Sequence, residues 1–215
     1  MGGGRRSAPI PPGDVRLLDA GDPGAPPVLL LHGRGASGAM WEPFVPGLAL
    51  DLRVLVPTLA DPSEVEPVRG LLDRLGLPAP AVVAHGEGAA AGLLLGAEGR
   101  ARVLVLLSAP VMGPELRAAR DAVARRELPT LLVWGEEDDV VPVEAAEGLQ
   151  DAIPTAALAV LPGCGHRVTE EAAPTVATLI AEFLRSRYLG RTHAHGPHGP
   201  VMLSLERRRP REEGA

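Results

Sequence analysis

A chain of 215 residues, 46% of them hydrophobic, is long enough for one α/β domain with a sizeable core. Its net charge of −6, its pI near 5.5 and its 2% aromatic content supply neither the basic footprint nor the stacking platforms of a nucleic-acid binder, so no nucleic acid is expected. No apolar run approaches the roughly 20 residues of a membrane helix, no basic start with an apolar run marks a secretory signal, and a single cysteine, Cys164, can form no internal disulfide. These features predict a soluble, cytoplasmic protein without a membrane partner.

Residues 1–13 are rich in Gly, Arg and Pro without periodicity and read as a disordered leader ahead of a single domain over 14–189. Val15–Leu18 fits an edge strand. Val28–Leu31 is a continuous aliphatic run of the kind found in parallel strands covered on both faces, and a glycine-rich loop follows it. Met40–Leu50 is a helical pattern broken by Pro43 and Pro46, and Arg53–Val56 is the next strand. Ser63 and Glu66 have the spacing of a capping box, ahead of Val65, Val68, Leu71, Leu72 and Leu75 at helical intervals. Ala81–Gly96 combines an apolar strand, a tight glycine turn and a small-residue helix. Strands follow at Val103–Leu107, Thr130–Trp134 and Ala157–Leu161, with helices at Glu115–Arg126, Val143–Ala152 and Thr169–Tyr188, the last with Pro174 in its first turns. Strictly alternating strands and helices predict an α/β fold, a doubly wound, mostly parallel sheet flanked by helices.

The segment 190–215 changes character and reads as a flexible tail. His193, His195 and His198 could capture a metal, but the Gly and Pro between them offer no rigid scaffold, so no metal and no other cofactor is expected; the arginine run reads as solvated.

Four segments carry a family resemblance over Val28–Leu184: LLLHGRGASG, VVAHGEGAA, LLVWGEEDDVVP and LPGCGHRV. In this order the chain resembles the α/β-hydrolase superfamily, in particular its small, cap-less, esterase-like members. The resemblance implies an oxyanion loop, a nucleophile elbow of pattern G-x-S-x-G, an acid loop and a histidine loop. It makes Asp138 the acid, with Asp139 as the alternative, His166 the base, and the backbone N–H groups of Arg34 and Glu87 the oxyanion hole. Laid on the elbow, the five positions are Ala84, His85, Gly86, Glu87 and Gly88. Glycine therefore stands where the nucleophile should be.

Only about twenty residues separate Leu107 from Thr130, which leaves no lid domain and an open cleft. Gly33 and Arg34 are the candidate substrate-binding residues, for a small carbonyl or ester-like ligand; the Arg34 side chain can hold a carboxylate or lie along the surface. His85 reads as packing. Glu87 is expected to leave the turn in another direction, which argues against a substitute carboxylate nucleophile. Cys164, two residues before His166, would have to reach across the site to replace the serine, and Ser108 reads as a structural hydroxyl. Two functions are consistent with this pattern: a catalytically impaired, binding member of the superfamily, or a non-covalent enzyme in which Asp138 and His166 activate water or move a proton. If active, the chain would be an ester or acyl hydrolase.

Overall fold

The computed structural model describes residues 6–10, 15–111 and 113–190. Eight strands form one sheet in the order β1-β2-β4-β3-β5-β6-β7-β8. They are β1 (Arg6–Ile10), β2 (Val15–Ala20), β3 (Pro27–Leu31), β4 (Arg53–Thr58), β5 (Ala81–His85), β6 (Val103–Leu107), β7 (Thr130–Gly135) and β8 (Ala156–Leu161). β1 and β2 run antiparallel at one edge and the other neighbours run parallel. Part of the expected leader is thus an added edge strand; the rest of residues 1–13 falls outside the described residues, as does the tail from 191, with its three histidines and arginine run.

The helices are α1 (Val45–Leu48), α2 (Glu66–Arg74), α3 (Gly88–Ala97), α4 (Gly113–Arg125), α5 (Val143–Ala152), α6 (Val168–Glu171) and α7 (Ala173–Arg187). Strand residues alternate between two cores because successive side chains point to opposite faces. Leu29, Leu31, Val82, Ala84, Leu104, Leu106 and Trp134 face α2 to α5. Val28, Leu30, Val83, Val105, Leu107 and Val133 face Trp41, α1, α6 and α7. Every residue of β5, β6 and β7 is buried, which explains why these strands read as unbroken apolar runs.

Three local expectations are corrected. The capping box does not form: α2 starts at Glu66 with Val65 as its cap and no side-chain hydrogen bond, while the Ser63 hydroxyl donates to Asp61. Pro67 sits in the first turn of that helix and needs no N–H there, so the helix can begin after the Asp61–Ser63 turn. The pattern over 40–50 resolves into a 3-10 turn at Gly38–Trp41 and the single turn α1, divided around Pro43. The final helix breaks at Ala172, whose backbone leaves helical geometry just before Pro174.

No lid intervenes between β6 and α4, and among the described residues no helix is long and apolar enough to cross a membrane. β3 lies between β4 and β5, so the chain passes to one side of β3 and then the other. Open α/β sheets place their crevice at the carboxyl ends of the strands flanking such a reversal, and the loops after β3 and β5 meet there.

Candidate functional site

The turn from β5 into α3 has the geometry that an elbow requires. Gly86 lies at φ +55°, in the left-handed region, and its N–H donates to Leu107 O at 2.9 Å. A Cβ at Gly86 would lie 3.9 Å from His166 Nε2 and 3.4 Å from Gly33 Cα. A side chain at this position would therefore point at the histidine, and the space it would fill is open.

His166 comes from the loop after β8. Its Nδ1 lies 3.0 Å from Oδ2 and 3.1 Å from Oδ1 of Asp138, so the imidazole donates Nδ1–H to a carboxylate that is buried. Asp138 also accepts the N–H groups of Val140 at 3.0 Å and Val141 at 2.8 Å. Burial alone would raise its pKa; the Val141 N–H, His166 and the neighbouring Ser108 hydroxyl outweigh that and hold it below its ordinary value. Asp139 is exposed and makes no such bond, so of the two aspartates Asp138 is the one paired with His166. With Nδ1–H directed at Asp138, Nε2 is the ring nitrogen that faces the cleft.

This arrangement predicts a pH signature. A depressed carboxylate contributes stability above its unfolded pKa, here near 3.8, and loses it as the pH falls through the lower folded value. Asp138→Asn should thus cost about 2 kcal/mol at neutral pH. Denaturant titrations of the two proteins should draw together as the pH falls from 3.8 and converge only below the lower, folded pKa.

Glu87 departs from expectation. Its side chain folds back over the turn, and Oε2 accepts the Arg34 N–H at 2.9 Å across 53 residues of sequence. Its own backbone N–H and the Arg34 guanidinium, whose Nε lies 3.7 Å from Oε1, act on the same carboxylate. Burial would raise the Glu87 pKa, but these donors together with His166 depress it. One of the two N–H groups expected to form an oxyanion hole, that of Arg34, is engaged by the protein's own carboxylate.

The other candidates separate clearly. His85 is buried and donates Nε2–H to His166 O at 3.0 Å, with the two rings 5.1 Å apart and edge to face. It packs, as expected, and it also braces the backbone of the base; burial pushes its pKa down. Ser108 is fully buried at φ +47° beside Asp138, so it serves the environment of that carboxylate and cannot meet a ligand. Cys164 is buried in the core that α7 covers, and burial, with Glu171 and Glu137, raises its thiol pKa; it is no displaced nucleophile. Among the described residues no cluster of three or more ligating side chains could hold a metal.

Two residues that were not singled out in the sequence build the loops. His32 Nδ1–H donates to Gly33 O, and its Nε2 accepts the Leu59 N–H, each at 2.9 Å, so it ties the loop after β3 to the loop after β4. Glu171 accepts the N–H groups of Gly165 at 2.7 Å and Arg167 at 3.0 Å and cradles the histidine loop. His32 had a signal in its place before Gly33; Glu171 had none. The resulting open cleft encloses about 470 Å³ and is bordered by Gly33, Arg34, Met40, Glu87, His166 and Thr169.

The fold and the site together are those of an α/β-hydrolase-like sheet in which a paired aspartate and histidine face a glycine turn. The family model for TAP-like proteins matches residues 110–194, which carry the acid and histidine loops. The chain is 40% identical over 57 residues to the uncharacterized hydrolase YugF of Bacillus subtilis, covering 26% of this chain and 21% of that one. It is 38% identical over 60 residues to monoacylglycerol lipase ABHD6 of Mus musculus, covering 28% and 18%. The matches thus span about a fifth of the length of these curated relatives. The enol-lactonase from Burkholderia xenovorans superposes with a TM-score of 0.74 at 17% identity, over 83% of this chain and 99% of that one, a likeness of fold. The chain thus has the α/β-hydrolase fold.

Proposed function

We propose that this protein is a binding member of the superfamily that has lost serine-type covalent catalysis. The observation that carries this reading is Gly86, which holds the elbow backbone and the line toward His166 but has no side chain to deprotonate. Removal of the nucleophile from a subtilisin-type triad lowers turnover by about 10⁶-fold, leaving roughly 10³ to 10⁴ over water from binding and the oxyanion hole. Here that residue is smaller still, because Glu87 engages the hole. The cytoplasm is the proposed compartment, on the single, buried thiol.

The cleft-facing Nε2 of His166 favours one second reading, in which the Asp138–His166 pair activates water or moves a proton on a bound small carbonyl compound. One experiment addresses both. The wild-type protein should take no covalent label from a fluorophosphonate probe, and its turnover of p-nitrophenyl acetate should match that of His166→Ala. Stoichiometric labelling of one residue would sink the binding reading, whereas unlabelled protein with turnover that depends on His166 would establish the second.

A further inference from the structure

The hydrogen-bonding character of the cleft is the reverse of what the elbow geometry would normally provide. In an oxyanion hole two N–H donors wait for a developing negative oxygen. Here the Arg34 N–H is taken by Glu87 Oε2 at 2.9 Å, with the Arg34 guanidinium 3.7 Å from Oε1 of the same carboxylate. On the opposite side of the vacancy, His166 has committed Nδ1–H to Asp138, so in the neutral ring Nε2 presents a lone pair. The missing side chain at Gly86 leaves room beside His166: chain neighbours aside, a Cβ there would meet Gly33 Cα at 3.4 Å and His166 Nε2 at 3.9 Å, and Glu87 Oε2 borders the same corner, 3.5 Å from a Cβ built on Gly33.

Charge points the same way. At the rim Arg167 pairs with Glu170, and these two cancel. Around Gly86 stand the carboxylates of Glu87 and Asp138 against the single guanidinium of Arg34, which is two-thirds exposed and 3.7 Å from Glu87. Two carboxylates against one guanidinium leave an excess of one negative charge among the acidic and guanidinium groups flanking the vacancy. A ligand carbonyl would meet acceptors where it needs donors, and a ligand carboxylate would meet a like charge.

We propose that the space above Gly86 binds the primary ammonium group of a small molecule, held by the Glu87 carboxylate and by His166 Nε2. An ammonium presents three donors and no acceptor, which matches two acceptors and a net negative charge. Glu87 is then the residue that determines specificity, since it turns a site for oxyanions into a site for cations. The carbonyl or ester-like ligand expected from the family resemblance is disfavoured for the same reason. This inference rests on the binding reading above and names the ligand class for that cleft.

The test is an NMR titration of the isotope-labelled full-length protein with ethylammonium chloride, and with sodium acetate at equal ionic strength, following the His166 ring and the Arg34 amide. Ethylammonium should give saturable shifts at both, and acetate should give none. Glu87→Gln, which keeps the side chain's size but removes its charge, should weaken ethylammonium binding at least ten-fold, on the scale of losing one charge-assisted hydrogen bond. Gly86→Ala, which fills the space and leaves every charge in place, should weaken it as well, so the inference does not depend on one variant folding. Acetate binding as tight as ethylammonium, no saturation by ethylammonium, or binding indifferent to both substitutions would each overturn the proposal. Labelling by the fluorophosphonate probe bears on the loss of covalent chemistry instead, so the two readings fail separately.

Discussion

Gly86→Ser by itself is expected to hydrolyse p-nitrophenyl acetate only slightly faster than wild type, while Gly86→Ser/Glu87→Ala should be about 10² to 10³-fold faster than the single variant. A serine at Gly86 inherits a backbone already at φ +55° and a Cβ position 3.9 Å from His166 Nε2, so its hydroxyl comes within reach of a base that Asp138 orients. The nearest other atom, Gly33 Cα at 3.4 Å, is at ordinary contact distance, so the change meets no clash and costs the backbone strain of a side chain at φ +55°. The tetrahedral intermediate, however, needs the Arg34 and Glu87 N–H groups, and in the single variant that of Arg34 still faces the Glu87 carboxylate. Loss of one such donor typically costs a factor of about 10² to 10³, so freeing it should restore that much. Adding His166→Ala to the double variant should abolish the gain and the fluorophosphonate label. A single variant as fast as the double would show that the Glu87 side chain does not obstruct the hole.

The second large effect is expected at Gly135, where the end of β7 passes against the histidine loop. A Cβ there would lie 2.2 Å from Gly165 O and 2.3 Å from Cys164 O, both of them backbone atoms that no rotamer change can move aside. The acid and histidine loops are joined at the same place, with the Glu137 N–H donating to Cys164 O at 2.8 Å and the Glu136 N–H to Leu161 O at 3.0 Å. Gly135→Ala must therefore part the loops that carry Asp138 and His166. It should cost about 3 kcal/mol in a denaturant titration. In the Gly86→Ser/Glu87→Ala background it should also lower turnover by about 10²-fold, since a misplacement of roughly 1 Å suffices for that loss. Gly92→Ala in α3 is the control: its added methyl would make only ordinary contacts, 3.5 Å to Val82 and 3.6 Å to Ala84 and Leu106, and should leave stability unchanged or slightly raised. Equal stability of the Gly135 and Gly92 variants would contradict the close approach of the two loops.

Much of this architecture was legible in the chain itself, because it depends on short-range patterns that survive without knowledge of partners. Val28–Leu31, Val103–Leu107 and Thr130–Trp134 are apolar on both faces, and only a strand covered by helices on both sides makes that pattern stable, so the parallel layered fold followed from the residues. The order of the elbow, acid and histidine segments assigned Gly86, Asp138 and His166, and these do converge. Tertiary structure alone decided how the polar groups were paired. The Ser63–Glu66 spacing permitted a cap, but Asp61 offered Ser63 a nearer partner and Pro67 let the helix begin later. The six-residue strand β2 could accept β1 as a neighbour only once the sheet existed to present its edge. Glu87 is the clearest case. Whether its carboxylate leaves the turn or folds onto the Arg34 N–H depends on the approach of a loop 53 residues away, and local propensity holds no information about which donors that loop will bring. Strands and helices are specified by residues two to four positions apart, whereas the chemistry of this cleft is set by hydrogen bonds between segments that only the folded sheet brings together.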